Sequence, residues 1–408
     1  MKAFNLVAGR MVATLLLFTA SAVHADVVTD WNIRANELIV SARLGPPPAY
    51  RSMAIAHVAV FEAVNAITGR FPASGVVTLD KAPGASVEAA VAAAMRGTLG
   101  KLLPAQQASD VESAYQTALT AIPDGGAKSA GVAVGEKAAA ATLALRSGDG
   151  AAAPDTYLPF TTPGVYVPTA SVAAPHWGKR KPWVLTSGDQ LRPGAPPSLT
   201  SEIWARDYNE VKSMGGRASS QRTAAQTEIA RFWEATQPTI YHPLARAVAL
   251  QSGREVTQNA RLFAAATMAM DDALIAVFEA KYTYNFWRPV TAIRNGDKDG
   301  NDATERDAAW TPLIDTPMHP EYPCAHCVVS SSIGAVVKAE LGNGPVPQLS
   351  TTSPTLPGVT RSYKSIDEFT QEVASARIYD GVHYRNSTEV GSALGKKVGE
   401  MAAAKMLR

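Results

Sequence analysis

The stretch from about residue 255 to residue 294 restricts the fold of this chain more than any other. Its alanines recur at steps of three and four residues, which places them on one narrow stripe of a helix. These alanines are Ala266, Ala269, Ala273, Ala276 and Ala280. Side chains this small let a neighbouring helix approach closely. We therefore predict one long helix over residues 255–294 that packs against another helix.

Helical patterns also cover most of the remaining chain, whose alanine-rich, charge-poor composition favours helices. The predicted helices span residues 31–43, 51–67, 86–103, 105–121, 127–147, 198–214, 221–236, 243–252, 323–341, 365–379 and 387–407. The Gly-Pro-Pro-Pro segment at 45–48 separates the first two in this prediction, because a helix cannot continue through it. His57 lies in a helix that is apolar on most sides, so we interpret it as a buried core histidine. The predicted fold class is all-α.

Residues 148–199 interrupt this pattern. They are dense in Pro, Gly, Thr and aromatic residues, including Tyr166, Trp177 and Trp183, and show no sustained period. So long an irregular stretch is usually functional or a wrap between helical units, and its aromatic content favours packing onto a surface. We therefore predict a helical region over residues 26–147, an irregular connection over 148–199 and a C-terminal helical domain over 200–408.

The first 25 residues have the pattern of a secretory signal peptide. Lys2 and Arg10 precede an apolar run, and a small-residue segment ends at Ala25. The apolar run is shorter than the ~20 residues that a membrane span requires. We predict cleavage after Ala25 and an exported protein, periplasmic or secreted, with no integral membrane segment in the mature chain.

Charge is nearly balanced, with 38 Lys and Arg against 36 Asp and Glu and a net charge of +2. The absence of basic runs in the sequence excludes nucleic acid and anionic membrane surfaces as expected partners. Cations and histidines instead recur in three short C-terminal segments. Lys281 and Arg288 lie in KYTYNFWRP, His326 lies in HPEYPCAHC, and Arg377 and His383 lie in ARIYDGVHYR.

These residue types suit a tetrahedral oxyanion such as phosphate or vanadate. Three fixed cations neutralise its charge, one imidazole can bond its central atom, and a second imidazole can move protons. In the predicted long helix, Lys281 and Arg288 share one face, and Pro289 bends the helix. The helix that begins near Pro323 also presents free backbone N–H groups, which bind anions.

Cys324 and Cys327 are the two cysteines of the chain and flank His326. Export favours a disulfide between them, although the tight loop leaves free thiols open. A redox pair or half of a zinc site are further alternatives, but zinc requires two more ligands, such as His319 and His326. The acidic loop at 295–318 lacks the calcium-binding pattern, so we interpret it as a solvated loop.

The order K-x6-RP, Pro-x-x-His and R-x5-H resembles the acid phosphatase and vanadium haloperoxidase superfamily, which includes the type 2 phosphatidic acid phosphatases (PAP2). The runs DDALIAVFEAKYTYNFWRPVTAIR and RIYDGVHYR are similar to the vanadium chloroperoxidase type. A weaker likeness extends from Trp31 onward, so the resemblance covers most of the mature chain. It implies two packed four-helix bundles with the oxyanion in the second.

The resemblance also implies a role for each motif residue. Lys281, Arg288 and Arg377, with the backbone N–H of Ala325, would hold the oxygens of vanadate or phosphate. His383 would be bonded to vanadium or become a phosphohistidine, and His326 would be the acid/base partner. A histidine at position 319 resembles the bromoperoxidase arrangement, whereas its alternative interpretation is a loop cap before Pro320.

Two positions depart from the family pattern. Cys324 and Ala325 replace the usual Ser-Gly before His326, so a serine hydroxyl that would bond the anion is missing, a loss of ~1.5–3 kcal/mol. Ala376 also replaces a usual serine before Arg377. The resemblance implies a vanadate-dependent haloperoxidase that uses hydrogen peroxide, a halide and an organic acceptor.

Two other functions stay open at this point. The first alternative is an acid phosphatase that hydrolyses a phosphoester through His383 and needs no cofactor. The second is a non-catalytic oxyanion-binding or redox-sensing protein. The sequence leaves the halide, the organic substrate and the oligomeric state undetermined.

Overall fold

The structure of the chain, a computed structural model, describes residues 26–168 and 171–407. The predicted signal segment, residues 1–25, lies outside them. The described chain is mostly helical, which confirms the predicted all-α class. None of its helices, within those ranges, is long and apolar enough to cross a membrane.

The α-helices fall into two sets along the sequence, before and after the irregular connection. The first set is α1 (Val27–Ser41), α2 (Pro46–Thr68), α3 (Val87–Leu102), α4 (Ala108–Thr120) and α5 (Gly126–Arg146). The second set is α6 (Glu202–Gly215), α7 (Ala224–Phe232), α8 (Pro238–Ala249), α9 (Val256–Tyr284), α10 (Pro289–Arg294), α11 (Ala325–Leu341), α12 (Ile366–Tyr379) and α13 (Arg385–Met406).

Helix α9 belongs to the second set but packs against helices of both sets. In the first set, α2, α3 and α5 pack on one another, and α9 packs against α2. In the second set, α9 packs against α11 and α13, which also contact α12. All five alanines of the predicted stripe on α9 are buried. The close approach that the small side chains allow therefore holds two groups of helices around one central helix.

Glycines fix the spacing of α11 and α13. A Cβ at Gly395 would lie 2.0 Å from the carbonyl oxygen of Val328, and one at Gly399 would lie 2.2 Å from that of Ser332. Real Cβ atoms do not approach a carbonyl oxygen this closely, so only glycine permits the observed contact. The middle of α13 is thereby held against the first half of α11, the helix whose first turn carries His326.

The predicted helix over 255–294 is wrong in its C-terminal part. Helix α9 ends at Tyr284, Asn285 adopts the left-handed conformation with φ of 50°, and Arg288 is extended. Asparagine tolerates this conformation and ends a helix well. Proline excludes helical geometry from the residue before it and suits the first position of a new helix, here α10. Lys281 and Arg288 therefore do not share a helix face.

Prolines also explain other boundaries that the sequence analysis placed wrongly. The segment at 45–48 does not precede α2 but opens it, since Pro46 occupies the first helical position, where the missing N–H costs nothing. In the same way α8 begins at Pro238 rather than at residue 243, and Pro243 lies within it.

A short hairpin lies in the segment between α11 and α12, for which no element was predicted. Strands β1 (Leu349–Thr352) and β2 (Thr360–Tyr363) are antiparallel and pair Leu349 with Tyr363. Both of these side chains are buried, and the Thr351 hydroxyl donates to the Ile240 carbonyl at 2.7 Å. The strands thus form because α8 supplies an apolar surface and an acceptor for them.

The irregular connection packs onto α9, as its aromatic content predicted. Trp177 and Trp183 are buried. The backbone N–H groups of Trp183, Val184 and Leu185 donate to the Asp272 carboxylate at 2.8–3.0 Å. These bonds tie the connection to the side of α9, next to the segment that carries Lys281.

Candidate oxyanion site

Five separate segments bring the predicted site residues together. Lys281 comes from the last turns of α9, Arg288 from the extended segment before α10, and Arg377 from the last turn of α12. The loop before α11 carries His319, the first turn of α11 carries Ala325 and His326, and the loop before α13 carries His383. All are buried except His319, which is partly exposed.

Arg288 is at the centre of these contacts. Its Nε donates to the His319 carbonyl at 2.9 Å, and its Nη1 donates to the Val382 carbonyl at 2.8 Å. Nη1 also lies 3.3 Å from His383 Nε2, and Nη2 lies 2.9 Å from His319 Nδ1. Burial lowers the pKa of the guanidinium to about 10, so it remains a cation at neutral pH.

Lys281 is fully buried and is anchored by main-chain oxygens. Its Nζ donates to the carbonyls of Pro320 at 2.9 Å and Glu321 at 2.7 Å. Burial, and then the charge of Arg288, lower the pKa of this amine well below its usual value. A bound anion would favour the protonated amine, because an opposite charge nearby stabilises the cation.

Arg377 presents unused donors. Its Nη1 donates to the Trp233 carbonyl at 2.9 Å and pairs with the Asp380 carboxylate. Its Nε and Nη2 are buried and have no partner within the described ranges. These two N–H groups form one edge of the guanidinium, which suits bidentate contact with an oxyanion. Buried donors are rarely left unpaired, so this edge fits an anion that completes the site.

His383 is held in one orientation by a carboxylate. Its Nδ1 lies 2.7 Å from Glu321 Oε1, which also accepts the N–H of Tyr384 at 3.1 Å. Burial, and then Arg288 and Lys281, lower the pKa of this imidazole well below its usual value, so the ring is neutral. A neutral ring that donates Nδ1–H to Glu321 leaves a lone pair on Nε2, beside Arg288.

His326 faces the segment between α7 and α8. Its Nε2 lies 2.7 Å from the Thr236 hydroxyl. Burial, and then the charge of Arg377, lower the pKa of the imidazole well below its usual value, although the carbonyls of Glu234 and Ala235 oppose this. The neutral ring can accept a proton, and Thr236 fixes where its Nε2 points.

His319 contacts the site rather than only capping its loop. Besides Nη2 of Arg288, its ring contacts that of Phe278, with 5.3 Å between centroids. Burial, and then Lys281 and Arg288, lower the pKa of His319 well below its usual value. His319 is thus the partly exposed edge of the cluster, on the side of Phe278.

Cys324 and Cys327 are buried free thiols, and their two sulfur atoms lie 2.7 Å apart. Cys324 is the N-cap of α11, and its sulfur accepts the N–H of Cys327 at 3.4 Å. This sulfur therefore serves its own helix and does not replace the missing serine hydroxyl. The N–H of Ala325 lies in the first turn of α11, where the helix supplies no carbonyl partner.

Sequence reasoning missed three residues that hold the predicted ones in place. Glu321 could have been found, since it lies within HPEYP between two residues that we had singled out. Asp380 follows Arg377 by three positions, which is an ion-pair spacing on a helix. Thr236 has no such signal, because it is far from His326 in sequence and meets it only in the folded chain.

One comparison with known protein families matches the part of the chain that carries this cluster. Residues 261–408, the part that carries every residue of the cluster except Thr236 and its neighbours, match the family model of the VCPO second helical-bundle domain. This match supports the predicted resemblance to the vanadium haloperoxidase superfamily. Among curated relatives of this superfamily, the chain is similar to the vanadium chloroperoxidase of Curvularia inaequalis, with 23% identity over 208 residues. That match covers 43% of this chain and only 34% of the fungal protein.

Solved structures of the superfamily extend the likeness over nearly the whole chain. The structure described as the first bacterial vanadium-dependent iodoperoxidase has 25% identity and a TM-score of 0.77, and the match covers 93% of this chain and 95% of that one. The apo form of a bacterial vanadium-dependent chloroperoxidase has 17% identity and a TM-score of 0.74, over 90% and 95% of the two chains. At 17% identity, the likeness to the chloroperoxidase structure shows a shared fold and nothing further.

Proposed function

We propose that this chain is an exported vanadium-dependent haloperoxidase, in which hydrogen peroxide oxidises a halide and an organic acceptor takes the halogen. Vanadate would be held by Lys281, Arg288, Arg377 and His383. The observation that carries the proposal is the state of His383, a buried neutral imidazole whose Nδ1 contacts Glu321 and whose Nε2 is left as a ligand.

The residues present fit an oxyanion of this charge. Two buried basic side chains lie close to His383: Lys281 donates to the carbonyl of Glu321, whose side chain contacts His383, and Arg288 lies beside His383 Nε2. Arg377 adds an edge of two donors that have no partner within the described residues. Ala325 adds a backbone N–H in the first turn of α11, where the helix dipole also favours an anion. Backbone and guanidinium donors together can replace the serine hydroxyl that Cys324 does not supply.

Vanadate, when bound, supplies a Lewis-acidic centre that polarises peroxide toward attack by a halide. The protein supports this chemistry by fixing its ligand. Glu321 accepts Nδ1–H of His383 and so keeps the tautomer in which Nε2 carries the lone pair. A carboxylate behind a ligating histidine also raises the basicity of the ring.

His326 is suited to move the proton of the peroxide. Its pKa is lowered by burial and by Arg377, so the ring is neutral and can act as a base at neutral pH. In the net reaction one peroxide oxygen leaves as water, so the proton that His326 takes from the peroxide must be returned to that oxygen. Thr236 holds Nε2 at one place, which favours the return of the proton to the same region.

His319 is the residue that we expect the halide to meet first. It is partly exposed, whereas the other site side chains are buried, and it contacts Arg288 at 2.9 Å. A polar imidazole at this place agrees with the predicted bromoperoxidase-like arrangement.

A paired assay on the purified protein tests the proposal. Bromination of a dye by peroxide, and hydrolysis of an aryl phosphate, would each be measured with and without added vanadate. We expect bromination that requires vanadate. Phosphate hydrolysis that vanadate inhibits would instead make His383 a nucleophile and the protein a phosphatase. Export is tested separately, by finding whether the mature N-terminus is Asp26.

A further inference from the structure

The two cysteines of the chain form a buried pair that the proposed reaction does not use. Cys324 is the N-cap of α11, and Cys327 lies in the first turn of the same helix. The Cys327 thiol donates to the sulfur of Cys324 at 2.7 Å, and this sulfur also accepts the backbone N–H of Cys327. A C-x-x-C segment at the beginning of a helix is typical of redox-active cysteines.

The geometry suits a bond between the two sulfurs. A disulfide bond is about 2.04 Å long, so the sulfurs need to approach by less than about 1 Å. Helix α13 closes over the pair, since a Cβ at Gly391 would lie 3.1 Å from the Cβ of Cys327 and 2.7 Å from the carbonyl oxygen of Cys324. The chain contains no other cysteine, so each of these thiols is the one partner within the chain with which the other can bond.

The two thiols differ in how readily they lose a proton. Burial opposes the ionisation of Cys324, but the hydrogen bond from Cys327 and then the charge of Arg377 outweigh it, so the pKa of this thiol lies below its ordinary value. Burial, and then the same hydrogen bond and a charge at Cys324, raise the pKa of the Cys327 thiol well above its ordinary value. The thiolate is the reactive form of cysteine, so Cys324 is the sulfur that attacks an oxidant first.

The pair lies beside the oxyanion site. Ala325, whose backbone N–H is proposed to hold the anion, and His326, the proposed base, lie between the two cysteines in the sequence. A negative charge on Cys324 interacts with Arg377 and then with Lys281, two cations of the site. A thiolate at Cys324 and a bound oxyanion therefore compete for the same positive charges.

Hydrogen peroxide is the oxidant that the site itself provides, and in this respect the inference rests on the proposed function. That function brings peroxide to Lys281, Arg288 and His383, which are as buried as the two thiols. A molecule little larger than water that reaches these side chains also reaches the first turn of α11. Burial of the thiols therefore excludes large oxidants but not peroxide.

We propose that Cys324 and Cys327 are a redox pair that peroxide converts into a disulfide, and that the disulfide form holds the oxyanion more tightly. The Cys324 thiolate attacks one peroxide oxygen, the O–O bond breaks, and the hydroxide that leaves becomes water with the proton that the thiol had released. The sulfur of Cys327 then attacks the sulfenic acid on Cys324, whose hydroxyl leaves with the Cys327 proton as a second water. Both sulfurs are oxidised and one peroxide is reduced.

The gain in oxyanion affinity follows from charge. In the reduced pair, Cys324 is the sulfur that carries the negative charge when a thiol ionises, and this charge offsets that of Arg377 and Lys281. A disulfide carries no charge, so the attraction of both cations is then available to the oxyanion. The oxidation state of the pair thus acts on the anion through two side chains that are already part of the site.

Formation of the disulfide is measured first, on the fully reduced mature protein without vanadate or halide. After exposure to hydrogen peroxide, the protein is unfolded and its free thiols are alkylated and counted by mass spectrometry. We expect both thiols to disappear together, and the peptide that carries them to lose two hydrogens. Two free thiols after this exposure would overturn the proposal.

The roles of the two sulfurs are tested with a matched pair of variants and a probe that labels sulfenic acids. Cys327→Ser removes the second sulfur, so peroxide should leave a sulfenic acid on Cys324 that the probe labels. Cys324→Ser keeps the thiol that is harder to ionise and should give little label. Equal labelling of the two variants would overturn the assignment of Cys324 as the attacking sulfur.

The link to the site is measured by calorimetry with inorganic phosphate, since vanadate itself oxidises thiols. The disulfide form should bind phosphate about fivefold more tightly than the reduced form, which is at the lower end of couplings between two sites. Cys327→Ser forms no disulfide within the chain, so it should not gain this affinity after exposure to peroxide. Equal affinity of the reduced and disulfide forms of the wild type would overturn the link.

These outcomes separate the redox pair from the proposed activity. A disulfide that forms and tightens phosphate binding, in a protein without vanadate-dependent bromination, would support the pair and contradict the haloperoxidase function. Vanadate-dependent bromination by a protein that keeps both thiols reduced in the same peroxide would support the function and overturn the pair.

Discussion

Two buried clusters of charged side chains contact α9, and they differ in how their charges are balanced. In the first, Arg180 donates to Asp149 and Asp271 at 2.8 Å each. Burial raises the pKa of Asp149, but Arg51 and Arg180 outweigh it and bring the value to about 2. In the oxyanion site, burial dominates instead and raises the pKa of Glu321 and of Asp380 to about 7.

The arginines of the two clusters show the same contrast. Arg180 uses both terminal nitrogens on carboxylates and lies 4.3 Å over the ring of Trp177, so within the described residues only its Nε lacks a partner. Arg377 leaves a whole edge, Nε and Nη2, without a partner in the same part of the chain. A cluster whose arginines spend their terminal nitrogens on carboxylates stabilises the fold, whereas a cluster with a whole edge of unused donors is suited to bind a ligand.

The largest expected effect is that of His383→Ala on the oxyanion site. No neighbouring side chain can replace the ligand nitrogen, so vanadate-dependent bromination should fall to the background rate. Unfolding by urea should change little, by comparison, because the site contributes more to anion binding than to stability. Wild-type turnover in His383→Ala would show that the site assignment is wrong.

Arg180→Met should have the opposite effects: it should lower the unfolding free energy and leave anion binding intact. It leaves Asp149 and Asp271 buried beside fewer cations, which typically costs about 3–5 kcal/mol of unfolding free energy. The folded fraction should keep its vanadate affinity. Chemical denaturation with a parallel anion titration measures both quantities. A lost affinity with unchanged stability would reverse the roles that we assign to the two clusters.

Glu321→Gln sharpens the comparison, because two effects of opposite sign compete. Removal of the carboxylate charge alone would strengthen anion binding. The neutral amide oxygen of glutamine is a weaker acceptor for Nδ1–H of His383 than the carboxylate, which should weaken anion binding, and substitutions behind a ligating histidine typically cost 10- to 100-fold. We expect weaker vanadate binding, with a shifted His383 resonance in the nitrogen NMR spectrum. Tighter binding would mean that Glu321 acts only through its charge.

The sequence predicted the helical class and the residues that meet at the site, since periodic alanines and spaced cations are local signals. It placed Arg288 on the wrong element, because one left-handed residue, Asn285, redirects the chain. It also missed Thr236 and the hairpin at 349–363, since both depend on surfaces that exist only after α7, α8 and α11 have packed. The local chemistry of the site was thus readable, and the supporting contacts between distant segments were not.

The smallest expected effect is the pH dependence of the unfolding free energy that the cluster around Arg180 and Asp149 contributes. The pKa of Asp149 is about 2 in the folded chain against an ordinary 3.8. A lowered carboxyl pKa stabilises the fold above the unfolded value, and the stabilisation is lost as pH falls through the folded value. It amounts to about 2 kcal/mol at neutral pH, and about half should be gone at pH 3.

Asp149→Asn isolates this contribution from that of other acidic groups. Urea unfolding of both proteins at pH 6 and pH 3 gives the difference in unfolding free energy at each pH. The difference should shrink toward pH 3, because the Asp149 carboxyl group is then mostly protonated in the unfolded chain, whereas it stays mostly ionised in the folded chain. A difference that stays constant would show that Asp149 acts through packing rather than charge, and the balanced ion pairs would no longer explain why this cluster is structural.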